Sequence, residues 1–130
     1  MIVTQDITPL TMPKSTGFRI KGTTENMGYA VSSAGDINHD GHADVLIGSP
    51  YESVNSLLNA GIVFVVFGRN SSFPSDVSIA ASMVTGRYTG FRIKGGNAND
   101  YTGCAVSAAG DFNHDGVDDI VIYQTGTSTV

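Results

Sequence analysis

Asp36-Ile37-Asn38-His39-Asp40-Gly41-His42-Ala43-Asp44 and Asp111-Phe112-Asn113-His114-Asp115-Gly116-Val117-Asp118-Asp119 are two copies of one acidic nonapeptide, D-x-N-x-D-G-x-x-D. Similarity extends outward from both. Val31-Ser32-Ser33-Ala34-Gly35 leads into the first copy and Val106-Ser107-Ala108-Ala109-Gly110 into the second. Further upstream, Gly17-Phe18-Arg19-Ile20-Lys21-Gly22 returns letter for letter as Gly90-Phe91-Arg92-Ile93-Lys94-Gly95. The second pair of blocks is separated by two more residues than the first, which places an insertion, and hence a loop, within Gly96 to Thr102. An internal repeat of this length defines the architecture before any single motif does.

Between these anchors the chain consists of short apolar runs punctuated by Gly, Asn, Asp, Ser and Pro, the pattern of strands joined by turns. The reading is all-β, with strands over Phe18 to Lys21, Tyr29 to Ser33, Asp44 to Gly48, Gly61 to Phe67, Phe91 to Lys94, Cys104 to Ala108 and Asp119 to Tyr123. Ile62-Val63-Phe64-Val65-Val66-Phe67 is apolar throughout, which predicts a strand buried on both faces. Asp76 to Met83 is the one stretch where a short helix competes, although nothing beyond Asp76 caps it.

The nonapeptides carry the chemistry. Oxygen-bearing side chains at positions 1, 3 and 5 turn inward together when the chain curls around a point, and glycine at position 6 permits that curl. The carbonyl of position 7, His42 or Val117, and the carboxylate of position 9 complete a ring of oxygens. The candidate ligands are therefore Asp36, Asn38, Asp40, His42 and Asp44 for one ion, and Asp111, Asn113, Asp115, Val117 and Asp119 for a second. A flexible, all-protein oxygen cage suits Ca2+ better than Mg2+, which keeps several waters and demands octahedral geometry. Aspartates at positions 1, 5 and 9 put about −3 in a small volume, so folding and cation uptake should be linked. An EF-hand is disfavoured: its twelfth position requires a glutamate, and here it is Ile47 or Ile122 within a β-run. The plainer alternative is that Asp-Gly and Asn-rich stretches are ordinary turns. Matched placement in both repeats argues against it. His39 and His114, at the even position 4, should lie outside the cage as solvated loop residues rather than as zinc ligands or catalysts.

Bulk properties narrow the function classes. The chain has 130 residues, enough for one domain with a core, and 41% hydrophobic against 15% charged residues fits a globular chain with many turns better than a disordered one. A net charge of −5 with scattered basic residues argues against nucleic acid, which needs a basic face. Cys104 alone permits no intrachain disulfide and reads as a small apolar strand residue. No apolar segment approaches the roughly 20 residues of a membrane span, and Met1 to Thr16 does not read as a secretory signal. Either the chain is cytosolic or its targeting signal lies elsewhere. Asn70-Ser71-Ser72 is an N-glycosylation acceptor that matters if the chain is secreted by a eukaryote.

Taken together, these pieces resemble the FG-GAP repeats that build the N-terminal β-propeller of integrin α chains and related surface proteins. The matching residues are Gly28 to Asp36 and Gly103 to Asp111, both acidic loops, Gly48-Ser49-Pro50 in place of Gly-Ala-Pro, and Phe67-Gly68. The resemblance runs from about Gly17 to Ile122. It implies propeller blades of antiparallel four-stranded sheets, with a calcium loop linking two strands of each blade. It also implies a non-catalytic role in adhesion or recognition of a protein or glycan ligand outside the cell, calcium rigidifying the blades. Residues 1–16 then form an N-terminal extension, 17–89 a first repeat, and 90–130 a second, truncated one, since Ile122-Tyr123-Gln124-Thr125 departs from Gly-Ala-Pro. A propeller closes with roughly four to eight blades, so the resemblance implies an incomplete one, finished by self-association or by further blades of a longer chain. Two readings compete with this one: a non-catalytic repeat attached to a secreted hydrolase, and a purely structural repeat. No Ser-His-Asp set, Cys-His set or Gly-rich phosphate loop stands out to support an enzyme.

Overall fold

The computed structural model describes residues 2–4, 17–22, 26–71, 76–78 and 90–126. All nine regular elements among them are strands: β1 (Ile2–Thr4), β2 (Arg19–Lys21), β3 (Ala30–Gly35), β4 (Asp44–Ser49), β5 (Ile62–Val66), β6 (Asp76–Ser78), β7 (Gly90–Lys94), β8 (Ala105–Gly110) and β9 (Asp119–Tyr123). Where the sequence leaves room for a helix, Asp76–Ser78 is a strand, and residues 79–83 lie outside the described residues. The strands form open sheets rather than a closed ring.

The principal sheet is four-stranded and antiparallel in the order β3-β4-β5-β7. β4 and β5 occupy the centre because their residues are apolar on both sides. Along β5 the side chains alternate, as the two-residue period of a strand requires. Ile62, Phe64 and Val66 join Ile47, Ile20 and Met27 in one buried cluster, while Val63 and Val65 join Leu46 and Ala34 in another. Each such side chain, fully buried, contributes about 1.5–3 kcal/mol. The apolar run from Ile62 therefore does bury both faces.

The second cluster is closed by a two-stranded antiparallel sheet, β8-β9, whose Val106, Ile120 and Ile122 pack against it. β8-β9 reproduces β3-β4 in register. Ala30 faces Gly48 and Gly35 faces Asp44, with a bulge between Ser33 and Gly35; Ala105 faces Tyr123 and Gly110 faces Asp119, with a bulge between Ala108 and Gly110. Glycine lets the two sheets approach closely. A β-carbon on Gly48 would collide with the Gly103 carbonyl, and one on Gly103 would meet a methyl of Val63 at 2.8 Å. This stacking of matched sheets is that of partial propeller blades.

The fourth strand of the principal sheet, β7, is the second copy of the Gly-Phe-Arg-Ile-Lys block, so this sheet draws on both repeats. The first copy contains β2 and pairs differently. It lies between β1 and β6 in a three-stranded sheet that is entirely parallel, a departure from the antiparallel four-stranded sheets expected throughout. β7 occupies the edge of β5 that β4 leaves. Once β7 holds that edge, the backbone groups of β2 must be satisfied elsewhere.

The two-residue insertion forms a turn built on Asp100, which is buried and accepts the N–H groups of Gly96 at 3.1 Å and Asn97 at 2.8 Å. Cys104 sits just before β8, half-buried, its thiol directed at the Tyr123 carbonyl. Among the described residues no helix is long and apolar enough to cross a membrane.

Candidate metal-binding loops

The two nonapeptides link β3 to β4 and β8 to β9, and they fold alike. Position 4 takes the left-handed conformation in both, with φ of 57° at His39 and 60° at His114, and position 6 follows with 86° at Gly41 and 88° at Gly116. A side chain at position 6 would be strained in that region, which accounts for the glycine.

The acids hold the curl from inside. Asp36 accepts the N–H of Asp40 on Oδ1 at 3.0 Å and that of Gly41 on Oδ2 at 2.8 Å; Asp111 accepts those of Asp115 and Gly116 at 2.9 and 3.0 Å. Asn38 Oδ1 accepts the Asp40 N–H, and Asn113 Oδ1 that of Asp115. The position-5 carboxylates take the next amide, His42 to Asp40 and Val117 to Asp115, each at 2.9 Å. The acid at position 9 reaches back to the start of the loop. Asp44 Oδ2 accepts the Ile37 N–H at 2.8 Å, and Asp119 Oδ2 those of Phe112 and Asn113 at 2.9 and 3.2 Å. Positions 1, 3, 5 and 9 thus act together in both loops, while His42 and Val117 enter these contacts through their amides. His39 and His114 are solvent-exposed.

The first loop has two further anchors. Asp44 is fully buried, and its Oδ1 accepts the N–H of Gly68, which ties the loop to the turn after β5. Asp118, a residue that the position-by-position reading of the loops passed over, accepts the Asp36 N–H on Oδ2 at 2.8 Å across 82 residues of chain. Its counterpart in the first loop is Ala43, so the asymmetry is visible in sequence although its target is not.

The electrostatics of the first loop follow from this wiring. Burial pushes the Asp36 carboxyl up, but the Gly41 and Asp40 amides and the neighbouring His39 more than offset it and hold the group below the ordinary carboxylate range. At Asp44 burial prevails over the Gly68 and Ile37 amides, and the charge of Asp40 pushes the same way, so its carboxyl lies above the ordinary range.

Among the described residues no three His, Cys, Asp or Glu side chains converge as a preformed metal cage. The donor set nevertheless fits a hard cation. A carboxylate has about four lone-pair sites, so the two N–H groups that each of these acids accepts leave capacity toward an ion. Burial raises Asp44 and the charge of Asp40 adds to it, a repulsion that a cation would relieve. Neither loop contains Lys or Arg to do so instead.

Residues 27–66 match the model of the FG-GAP repeat family. The chain is 31% identical to mouse integrin alpha-E over 113 residues and 30% identical to the Caenorhabditis elegans integrin alpha pat-2 over 105 residues, alignments covering 83% and 79% of the chain. It is also 31% identical to bovine phosphatidylinositol-glycan-specific phospholipase D over 96 residues, 74% of the chain. These alignments take in 9%, 8% and 11% of the respective relatives, so the chain spans about a tenth of the length of the proteins it matches.

Proposed function

The chain is built from FG-GAP repeats of the integrin alpha-like type, and from that premise we propose that it is a calcium-stabilised binding module rather than a catalyst. The observation that carries this reading is the pairing of the loops: two D-x-N-x-D-G-x-x-D segments, 75 positions apart in sequence, take one backbone path and turn the same four side chains onto it. Asp36, Asn38, Asp40 and Asp44, with the His42 carbonyl, would hold one ion. Asp111, Asn113, Asp115 and Asp119, with the Val117 carbonyl, would hold the other. Bound calcium supplies charge neutralisation and tethers both ends of each loop, which stiffens the hairpins beneath.

By analogy with the integrin relatives, the module acts at the cell surface or outside the cell and presents its loops to a protein or glycan ligand. Its open sheet edges are completed by other blades or by a second copy. The phospholipase D match favours one alternative, in which the same calcium-bound repeat serves a secreted hydrolase without taking part in its chemistry.

Calcium titration of chelator-treated protein by calorimetry, with thermal unfolding in parallel, tests the reading. Two sites are expected, one lost in Asp40→Ala and the other in Asp115→Ala. Saturation at a hundredfold over Kd should stabilise the fold by about 2.7 kcal/mol per site. An unchanged Tm and no heat of binding would reduce the loops to ordinary turns.

A further inference from the structure

The two loops are not independent. Asp118 lies between Val117 and Asp119, positions 7 and 9 of the second loop, yet its carboxylate bonds the backbone of Asp36, position 1 of the first. The approach is close enough that a β-carbon on Gly35 would collide with the Asp118 carboxylate. At Gly110, the matching position of the second repeat, a β-carbon would meet nothing within 4 Å. Gly35 thus leaves the space that the second loop uses to reach the first.

We propose that Asp118 joins the loops into one cooperative unit, so that order imposed on the second is transmitted to Asp36 in the first. Any contact that fixes Val117 and Asp119 also fixes the backbone between them. The entropy of placing the Asp118 side chain has then been spent before the first loop closes. Asp118 in turn pins the amide of Asp36 while Asp40 and Gly41 grip its carboxylate, leaving position 1 preorganised. By linkage the effect is reciprocal: a cation in either loop tightens the other by the same factor. This rests on the calcium reading of the loops and adds the residue that couples them.

A double-mutant cycle on the full chain tests the proposal, with Ca2+ alone as the probe and calorimetry as the measurement. Disabling the second loop with Asp115→Ala should weaken the first site about fivefold. In an Asp118→Ala background the same substitution should leave the first site unchanged. Asp118→Asn, whose amide oxygen still accepts an N–H, should retain the coupling, which separates the hydrogen bond from the charge. Without metal, Asp118→Ala should shift the Asp36 amide resonance and speed its hydrogen exchange while the β4 and β5 amides stay protected, which also reports that the variant is folded. Equal first-site affinity with and without a working second loop, or a loss that persists in Asp118→Ala, overturns the coupling and leaves the calcium reading intact. No calcium uptake in either loop overturns both.

Discussion

The two hairpins, β3-β4 and β8-β9, share register, bulge and loop conformation, yet they live in different surroundings. In the first, strand β4 is sandwiched: Leu46 and Ile47 are fully buried on opposite faces, and Asp44 is inaccessible beneath its loop. The second is covered on one side. Val121 and Tyr123 are more than half exposed, and Phe112, which stands where Ile37 packs in the first loop, is 82% exposed. Local sequence can therefore specify a turn twice over, while the stability invested in each copy depends on what packs against it.

That contrast is sharpest at equivalent core positions. Leu46→Ala removes a buried side chain between β5 and the stacked hairpin and should cost about 3 kcal/mol, whereas Val121→Ala, its counterpart, should stay within about 0.5 kcal/mol. Urea unfolding of the two variants provides the comparison; equal losses would mean that the second hairpin is covered in solution. A smaller difference is expected at position 9 of the loops. Asp44→Ala strips the acceptor from the half-buried amides of Ile37 and Gly68 and should cost about 2 kcal/mol, with a lesser effect for Asp119→Ala in its more open site. Calcium-free thermal melts would measure it. The smallest effect concerns the bulge glycines. Both have positive φ, 71° at Gly35 and 63° at Gly110, so alanine costs about 1–2 kcal/mol at either. Gly35→Ala should exceed Gly110→Ala because it also displaces Asp118, and equal Tm shifts would argue that the inter-loop bond contributes nothing.

The features legible in sequence were those set by nearby residues. The loop curl is made by bonds spanning seven residues or fewer, such as Asp36 to Gly41 and Asp44 to Ile37, so the spacing of Asp, Asn and Gly determined it directly. Strand positions followed for the same reason, being written in runs of alternating or continuous apolar residues. The FG-GAP character followed from several such pieces in a fixed order.

Tertiary structure decided what depends on competition and distance. Nothing in the repeated Gly-Phe-Arg-Ile-Lys block says that one copy completes an antiparallel sheet on β5 while the other lies in a parallel one between β1 and β6; that depends on the strands each copy meets. Nor does an aspartate at position 8 announce that it bonds a backbone 82 residues away. Identical segments carry identical local preferences, and a fold distinguishes them only by the neighbours it places around each.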